Sequence, residues 1–375
     1  MKSALVLGKE NGLLTAQMRI NIIHKTYQIR ITIIYFSIMI TRLTKLLVGA
    51  SLISATGVTA AAEVNVYSYR QPFLMKPLFD TFTKETGIKV NTVYAKKGLI
   101  ERLKREGADS PADVILTVDI GRLNDVKQAG VTQPVSSGAL NENIPENFRD
   151  IDNHWFGLTS RARIIVASRD RVAKGTIKTY EDLATDKAAN KICTRSGKHP
   201  YMVALTAAMI NHHGEAAAEK WLAGVKRNLA RKPQGNDRAQ VKAIKEGACD
   251  LAVINHYYMV KMLAKEEQKP WADSVYMIFP NQDGRGTHLN VSGIALTKAS
   301  PNKQDALRLM EWLSGDKAQQ IYAEANGEYP VMSSVKWSAL LESWGKFKSD
   351  TLGLSDIATK RKAASKLADK VNYDG

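Results

Sequence analysis

The sequence predicts an α/β protein built as two lobes. Three observations carry that reading. Strand-like alternation and helix-like periodicity take turns through residues 63–128, the same order resumes after residue 160, and 375 residues are enough for two domains of ordinary size.

Residues 63–69 (EVNVYSY) alternate apolar and polar side chains, the period of a half-buried strand. Residues 72–85 carry apolar positions at helical spacing and stop at Gly87. A second alternating strand covers 88–94, a short helix 97–106, and an apolar strand 112–118, after which Asp119 opens the next helix. This β-α-β-α-β-α order implies a largely parallel sheet with helices on both faces.

In the second block, 163–168 and 190–194 read as strands, and Arg195-Ser196-Gly197 turns into a helix over 199–213. Helices are expected at 216–229 and 237–246, and a strand at 250–254 running straight into His256-Tyr257-Tyr258. Late strands fall at 275–279 and 290–296, and late helices at 302–313 and 317–325. Ligands of open α/β sheets bind at the carboxyl ends of strands, and two facing lobes would share a cleft there.

The amino-terminal stretch has the three-part layout of an export signal. A basic segment (Thr41 to Lys45) precedes a short apolar run (46–58) and small residues at 59–62. The apolar run is shorter than the about 20 residues of a membrane span. Translation is expected to start at Met39, with 1–38 an extension outside the signal. The chain carries 53 Lys+Arg and 37 Asp+Glu, a net charge of +16. Residues 1–62 hold seven bases and one acid, so cleavage leaves 46 against 36, or +10. Acids interleave with the bases, which marks a solvated surface and no nucleic-acid tail. Cys193 and Cys249 are the two cysteines, and an even pair in an exported chain favours a disulfide.

Tyr201, in the first turn of a helix, and Tyr257-Tyr258, at a strand end, stand where such lobes show side chains to a ligand. A phenol ionises near pH 10, and a strongly charged cation lowers that value and takes the phenolate as a hard oxygen ligand. The same tyrosines also fit ordinary half-buried aromatics, and spacing does not choose between the two. The turn Ser196-Gly197-Lys198 has backbone N–H groups able to hold an anion at a helix start, or simply to begin the helix. Arg161 and Arg163 can pair with an anion or lie on the surface. The seven histidines show no zinc spacing, and no nucleophile elbow, P-loop or dinucleotide fingerprint occurs. Nothing positive points to an enzyme.

The stretches VNVYSYRQPFLMKPLFDTFTKETGIKV, SPADVILTVDIGRL, RSGKHPYMV, KPQGNDRAQVKAIKEGACD, INHYYM and NGEYPV resemble, in order, bacterial periplasmic ferric-iron-binding proteins of ABC uptake systems. The resemblance covers nearly all of 63–375. It implies the two-lobed type II periplasmic-binding-protein fold with hinge crossover strands, and Fe3+ held by the phenolates of Tyr201, Tyr257 and Tyr258. It further implies a synergistic anion, carbonate, supported by Arg161 and by Ser196 and Gly197, a Cys193–Cys249 disulfide, and delivery to an inner-membrane ABC permease by a monomer in the periplasm. Some members of that family use a histidine where this chain has Tyr69-Arg70-Gln71-Pro72, and the acidic ligand of others falls near Val118-Asp119. The chain therefore resembles the three-tyrosine subtype, with Tyr69 a candidate contact from the N-lobe. The alternative is the same fold carrying a small organic or oxyanion ligand, such as a polyamine, thiamine or a phosphonate. The expected domains are a signal at 39–62, an N-lobe from 63–160 and 286–335, a C-lobe from 161–285, and C-terminal helices over 336–375 packing on the C-lobe.

Overall fold

A computed structural model describes residues 62–375, together with 18–19, 21–28, 30–32, 34–37 and 39. The described residues between 18 and 39 are helical and exposed. The expected export signal lies outside the described residues apart from its two ends, Met39 and Ala62. Among the described residues no helix is long and apolar enough to cross a membrane.

From Glu63 onward the chain follows the expected alternation. Strand β1 (Glu63–Ser68), α1 (Pro72–Thr86), β2 (Lys89–Tyr94), α2 (Leu99–Glu106), β3 (Val114–Thr117), α3 (Ile120–Gln128) and α4 (Gly138–Asn143) lead into β4 (Phe156–Ser168). There follow β5 (Ile192–Cys193), α5 (Pro200–His213), α6 (Glu215–Arg227), α7 (Asp237–Lys245), β6 (Leu251–Asn255), α8 (Tyr257–Leu263), α9 (Lys269–Asp273) and β7 (Val275–Ile278). The last stretch holds β8 (Leu289–Leu296), α10 (Lys303–Ser314), α11 (Asp316–Ile321), β9 (Tyr329–Pro330), α12 (Ala339–Ser343) and α13 (Leu354–Lys370).

The strands run in the order β2-β1-β3-β8-β4-β6-β5, with β7 and β9 also on β4. Strand β1 is parallel to β2 and β3, β8 is antiparallel to β3 and β4, and β5 is parallel to β6. Strand β4 joins the two halves. Its first part, from Phe156 to Ala162, pairs with β8, and its second, from Arg163, pairs with β6 and β7. All thirteen of its residues are buried. The sequence shows only the second half of this strand, because Thr159-Ser160-Arg161 breaks the apolar pattern.

Each half has its own core. Val66, Leu78, Phe82, Leu116, Ile294 and Leu309 pack together on the β1 side. Ile164, Val166, Val241, Ile244, Ala252 and Ile254 pack on the β6 side. Helix α13 lies along α5 and also meets α3 and α6, so the carboxyl-terminal segment touches both halves. Its Arg361 reaches Asp125 at 3.5 Å.

Cys193 and Cys249 form a disulfide, with Cα atoms 6.0 Å apart and a sequence separation of 56. It ties the end of β5 to the entry of β6, the two segments that deliver the C-lobe tyrosines. Removing it by Cys193→Ser with Cys249→Ser should lower the unfolding free energy by about 4 kcal/mol in the chain-entropy model. Urea titration of the double variant against the oxidised wild type checks this, and a loss below about 1 kcal/mol would show that the bridge constrains little.

Candidate functional site

A cavity of about 200 Å³ opens at the carboxyl ends of β1, β3 and β6 and the start of α5. Tyr69, Arg70, Gln71 and Val118 line one side, and Tyr201, Tyr257, Tyr258 and Lys261 the other. Arg161 from β4 and Glu328, just before β9, complete it.

Local folding explains how the tyrosines converge. Pro200 takes the first position of α5, and the His199 ring accepts a hydrogen bond from the Tyr201 N–H at 3.2 Å, capping the helix. That fixes Tyr201 in the first turn. The guanidiniums of Arg195 and Arg163 lie 5.4 and 5.7 Å from the centre of its ring. Asp237 orders both arginines, with Arg163 Nη1 at 2.9 Å and Arg195 Nη1 at 3.3 Å, and accepts the Asn255 N–H at 2.9 Å. The next residue, His256, is pinned to the hinge strand. Its N–H donates to Ala162 O, its Nδ1 accepts the Ala162 N–H, each at 3.1 Å, and its ring stacks on Tyr329 at 4.2 Å. Tyr257 and Tyr258 therefore open α8 from a fixed point.

The Tyr201 and Tyr257 hydroxyls are 3.4 Å apart, and the Tyr257 and Tyr258 rings stack at 4.4 Å. Burial, then the neighbouring phenols, raises Tyr257 well above the usual tyrosine value. Burial, Tyr201 and Asp237 push Tyr258 up to about 12. At neutral pH these two are thus neutral phenols. Converging oxygens of this kind become ligands when a strong cation displaces their protons. Among the described residues no group of three or more His, Cys, Asp or Glu is placed to hold a metal ion.

Below them lies a buried charge cluster. Arg70 and Arg161 are each 2% exposed, and Glu328 is 4% exposed. Glu328 Oε2 accepts from Arg70 Nη2 at 2.8 Å and from Thr159 Oγ1 at 3.0 Å, and its Oε1 accepts from Arg161 Nη1 at 3.0 Å. Arg161 also donates to the Ser292 hydroxyl at 2.7 Å, to Val291 O at 2.8 Å and to Val118 O. Burial alone would raise the Glu328 carboxyl, but Arg70 and Arg161 outweigh it and bring it down to about 2. The Nε–H groups of both arginines are buried without a hydrogen-bond partner among the described residues. Buried donors of that kind call for an acceptor. Gly327 makes the arrangement possible: it has φ +63°, and a side chain there would collide with Val260 of α8.

The expected site residues do not all meet. Tyr201, Tyr257, Tyr258 and Arg161 line one cavity, whereas Ser196 and Gly197 do not line it. Asp374 has taken their donors, accepting from Ser196 Oγ at 2.6 Å and Gly197 N at 2.8 Å. Tyr69 lines the cavity, yet its hydroxyl accepts from the Leu99 and Ile100 N–H groups at the start of α2. Asp119 caps α3 through Arg122 N, and Val118 is the member of that pair at the cavity. Arg70, Arg195, Asp237, Lys261 and Glu328 escaped sequence reasoning because their partners lie far away along the chain.

A model of the bacterial extracellular solute-binding proteins matches residues 67–320. Iron uptake protein A1 of a Synechocystis species is 40% identical over 339 residues, 87% of this chain and 94% of that protein. The crystal structure of Mannheimia haemolytica ferric iron-binding protein A in an open conformation superposes with a TM-score of 0.81 at 53% identity, covering 84% of this chain and all of that one. A Trichodesmium protein in complex with iron and citrate ligands gives a TM-score of 0.80 at 44% identity over 83% of this chain and all of that one.

Two measurements test the packing of the site. A Cβ on Gly197 would lie 2.7 Å from the Tyr373 ring, so Gly197→Ala should cost about 1–3 kcal/mol. On a Tyr373→Ala background that cost should disappear, and an unchanged cost in urea titrations of both backgrounds would refute the contact. For Glu328 the folded carboxyl sits below its ordinary 4.5, so its stabilisation is complete above about pH 4.5 and is lost as pH falls toward 2. Glu328→Gln should flatten the stability–pH curve across that window, and a curve parallel to wild type would contradict the ion-pair assignment.

Proposed function

The chain belongs to the family of bacterial extracellular solute-binding proteins, and we propose that it is the periplasmic ferric-ion carrier of an ABC importer. The observation that carries this reading is the meeting of Tyr201, Tyr257 and Tyr258 in one cavity over two buried arginines with free Nε–H groups. Three phenolates neutralise a trivalent hard cation, and their oxygens suit Fe3+ better than softer metals. Relatives matched over most of this chain are named ferric iron-binding proteins, and the Trichodesmium relative was solved in complex with iron and citrate ligands.

In this reading the iron takes the three phenol oxygens from the C-lobe, each losing its proton to water. A small anion, of which carbonate is one, fills the remaining positions and accepts from the Arg161 Nε–H. Arg195 and Arg163, held by Asp237, face the Tyr201 ring and fix its place at the cavity. Ser196 and Gly197 become anion contacts only where Asp374 withdraws from them. Tyr69, Gln71 and Val118 bring the N-lobe to the same cavity, so iron held there bridges both lobes and favours the closed arrangement. An inner-membrane permease then distinguishes the loaded, closed form from the empty one. The chemistry is capture and release, with no bond of a substrate made or broken.

The test is a visible spectrum of the protein titrated with ferric citrate and bicarbonate. A tyrosinate-to-iron band should saturate at one iron per chain and be abolished by Tyr257→Phe or Tyr258→Phe. Full colour and normal iron retention in both variants would remove the ligand assignment. No band at all in the wild type would favour a small organic or oxyanion ligand in the same cleft.

A further inference from the structure

The fixed charges of the cavity do not balance. Arg70 and Arg161 bring two positive charges, and Glu328 returns one negative charge. No other carboxylate lines the cavity. Lys261 adds an ammonium, 5.9 Å from the Tyr257 ring and 5.2 Å from Phe73, although burial lowers its proton affinity. Both arginines are too buried for water to screen the excess fully.

We propose that Glu328 sets the net charge of the cavity floor and thereby selects the charge of the anion that accompanies the metal. The proposal rests on the phenolate reading above and deepens it. A trivalent cation with three phenolates adds no net charge. The surplus of one on the floor, with Lys261 above it, then remains to be met by the companion ligand. An anion carrying one or two negative charges matches it, whereas a trianion overshoots and leaves buried negative charge without a partner. The free Nε–H group of Arg161 supplies a donor for such an anion, Arg70 contributes its charge, and Glu328 keeps both guanidiniums turned so that their Nη atoms are occupied and their Nε–H groups are not.

Glu328 also differs from the arginines in its freedom to act. Three donors hold its carboxylate, from Arg70, Arg161 and Thr159, so it contributes charge and position without contacting the ligand itself through a spare proton. Replacing it by glutamine retains the shape and one acceptor oxygen, turns the other into an N–H donor, and raises the floor by one positive charge. Anion preference should then move toward more highly charged species. Replacing Arg70 by glutamine in the same chain returns the floor to its original charge while leaving Arg161 in place.

The experiment uses the full chain loaded with iron, with bicarbonate and citrate as competing anions, read from the position of the tyrosinate band. Glu328→Gln should raise the citrate-to-bicarbonate affinity ratio by about tenfold or more, the size expected for one extra unit charge at close range in a partly buried site. The double variant Glu328→Gln with Arg70→Gln should return the ratio to within about threefold of wild type, and Glu328→Asp should leave it there as well. A purely structural Glu328 would lower thermal stability without moving the ratio, and that result, or a ratio that stays shifted in the double variant, overturns the proposal. If Glu328→Gln does not fold, the single variant Arg70→Gln decides, since it must shift the ratio in the opposite direction. Absence of a wild-type band defeats the phenolate reading separately, and the same ratio measured by calorimetry on iron-free protein then judges the charge proposal alone.

Discussion

One carboxylate holds the centre of this molecule. Glu328 binds Arg70, which follows β1, and Arg161, which lies on the strand shared by both halves. The three groups come from residues 70, 161 and 328, so none can find its partner until the chain has closed on itself. An unpaired buried guanidinium or carboxylate costs several kcal/mol, roughly 3–5 in measured cases, so the cluster tolerates no partial assembly. Its formation fixes the start of α1 against β4 and β8 through Ser292, which accepts from both arginines. The cavity inherits its floor from that requirement.

The tyrosines depend on a second buried network that works in the same way. Asp237 carries Arg163, Arg195 and the Asn255 N–H, so it links the helix-entry loop before α5 to the end of β6. Tyr201 and Tyr257 hang from those two segments, and the disulfide joins the same pair. The C-lobe side of the cavity is therefore held rigid by the chain itself. Positioned oxygens lose less freedom on binding than flexible ones, which is the general advantage of preorganisation. The raised proton affinities of Tyr257 and Tyr258 complement this. Neutral phenols are tolerable in a half-buried cavity, and only a strong cation makes their ionised forms favourable there.

Much of the fold was legible in the sequence because its strands alternate cleanly and its helices carry ordinary punctuation. Gly87 ends α1 with φ +73°, and Asp119 caps α3, as their positions in the sequence imply. Tyr201 at a helix start and Tyr257-Tyr258 at a strand end were visible as candidates from position alone. The first half of β4 was not visible, since Thr159, Ser160 and Arg161 look like surface residues until Glu328 is placed beside them. Nor were Asp237 and Glu328, which sit in stretches that resemble the family but carry no local signal of burial. Helix-entry reasoning at Ser196 and Gly197 identified real donors. It had no means of seeing that the chain's own Asp374, nearly 180 residues later, would accept from them.

That last contact bears on how the two lobes communicate. Helix α13 runs along α5 and meets α3, and the tail beyond it ends on the loop that precedes Tyr201. Tyr373 is buried there, its hydroxyl 3.0 Å from Thr194 Oγ1, and Lys198 pairs with Asp369 at 2.6 Å. Arg361 on the same helix faces Asp125 of α3. A shift of one lobe relative to the other must then be absorbed either in β4 and β8 or along the α13 surface. Strand β4 is hydrogen-bonded on both edges and fully buried, so bending concentrates where its pairing changes from β8 to β6, between Ala162 and Arg163. His256 is bonded to Ala162 at that point, and Arg161 stands beside it. The place where the fold can bend is thus the place where both the tyrosine pair and Arg161 are anchored, which makes the geometry of the cavity and the angle between the lobes one variable.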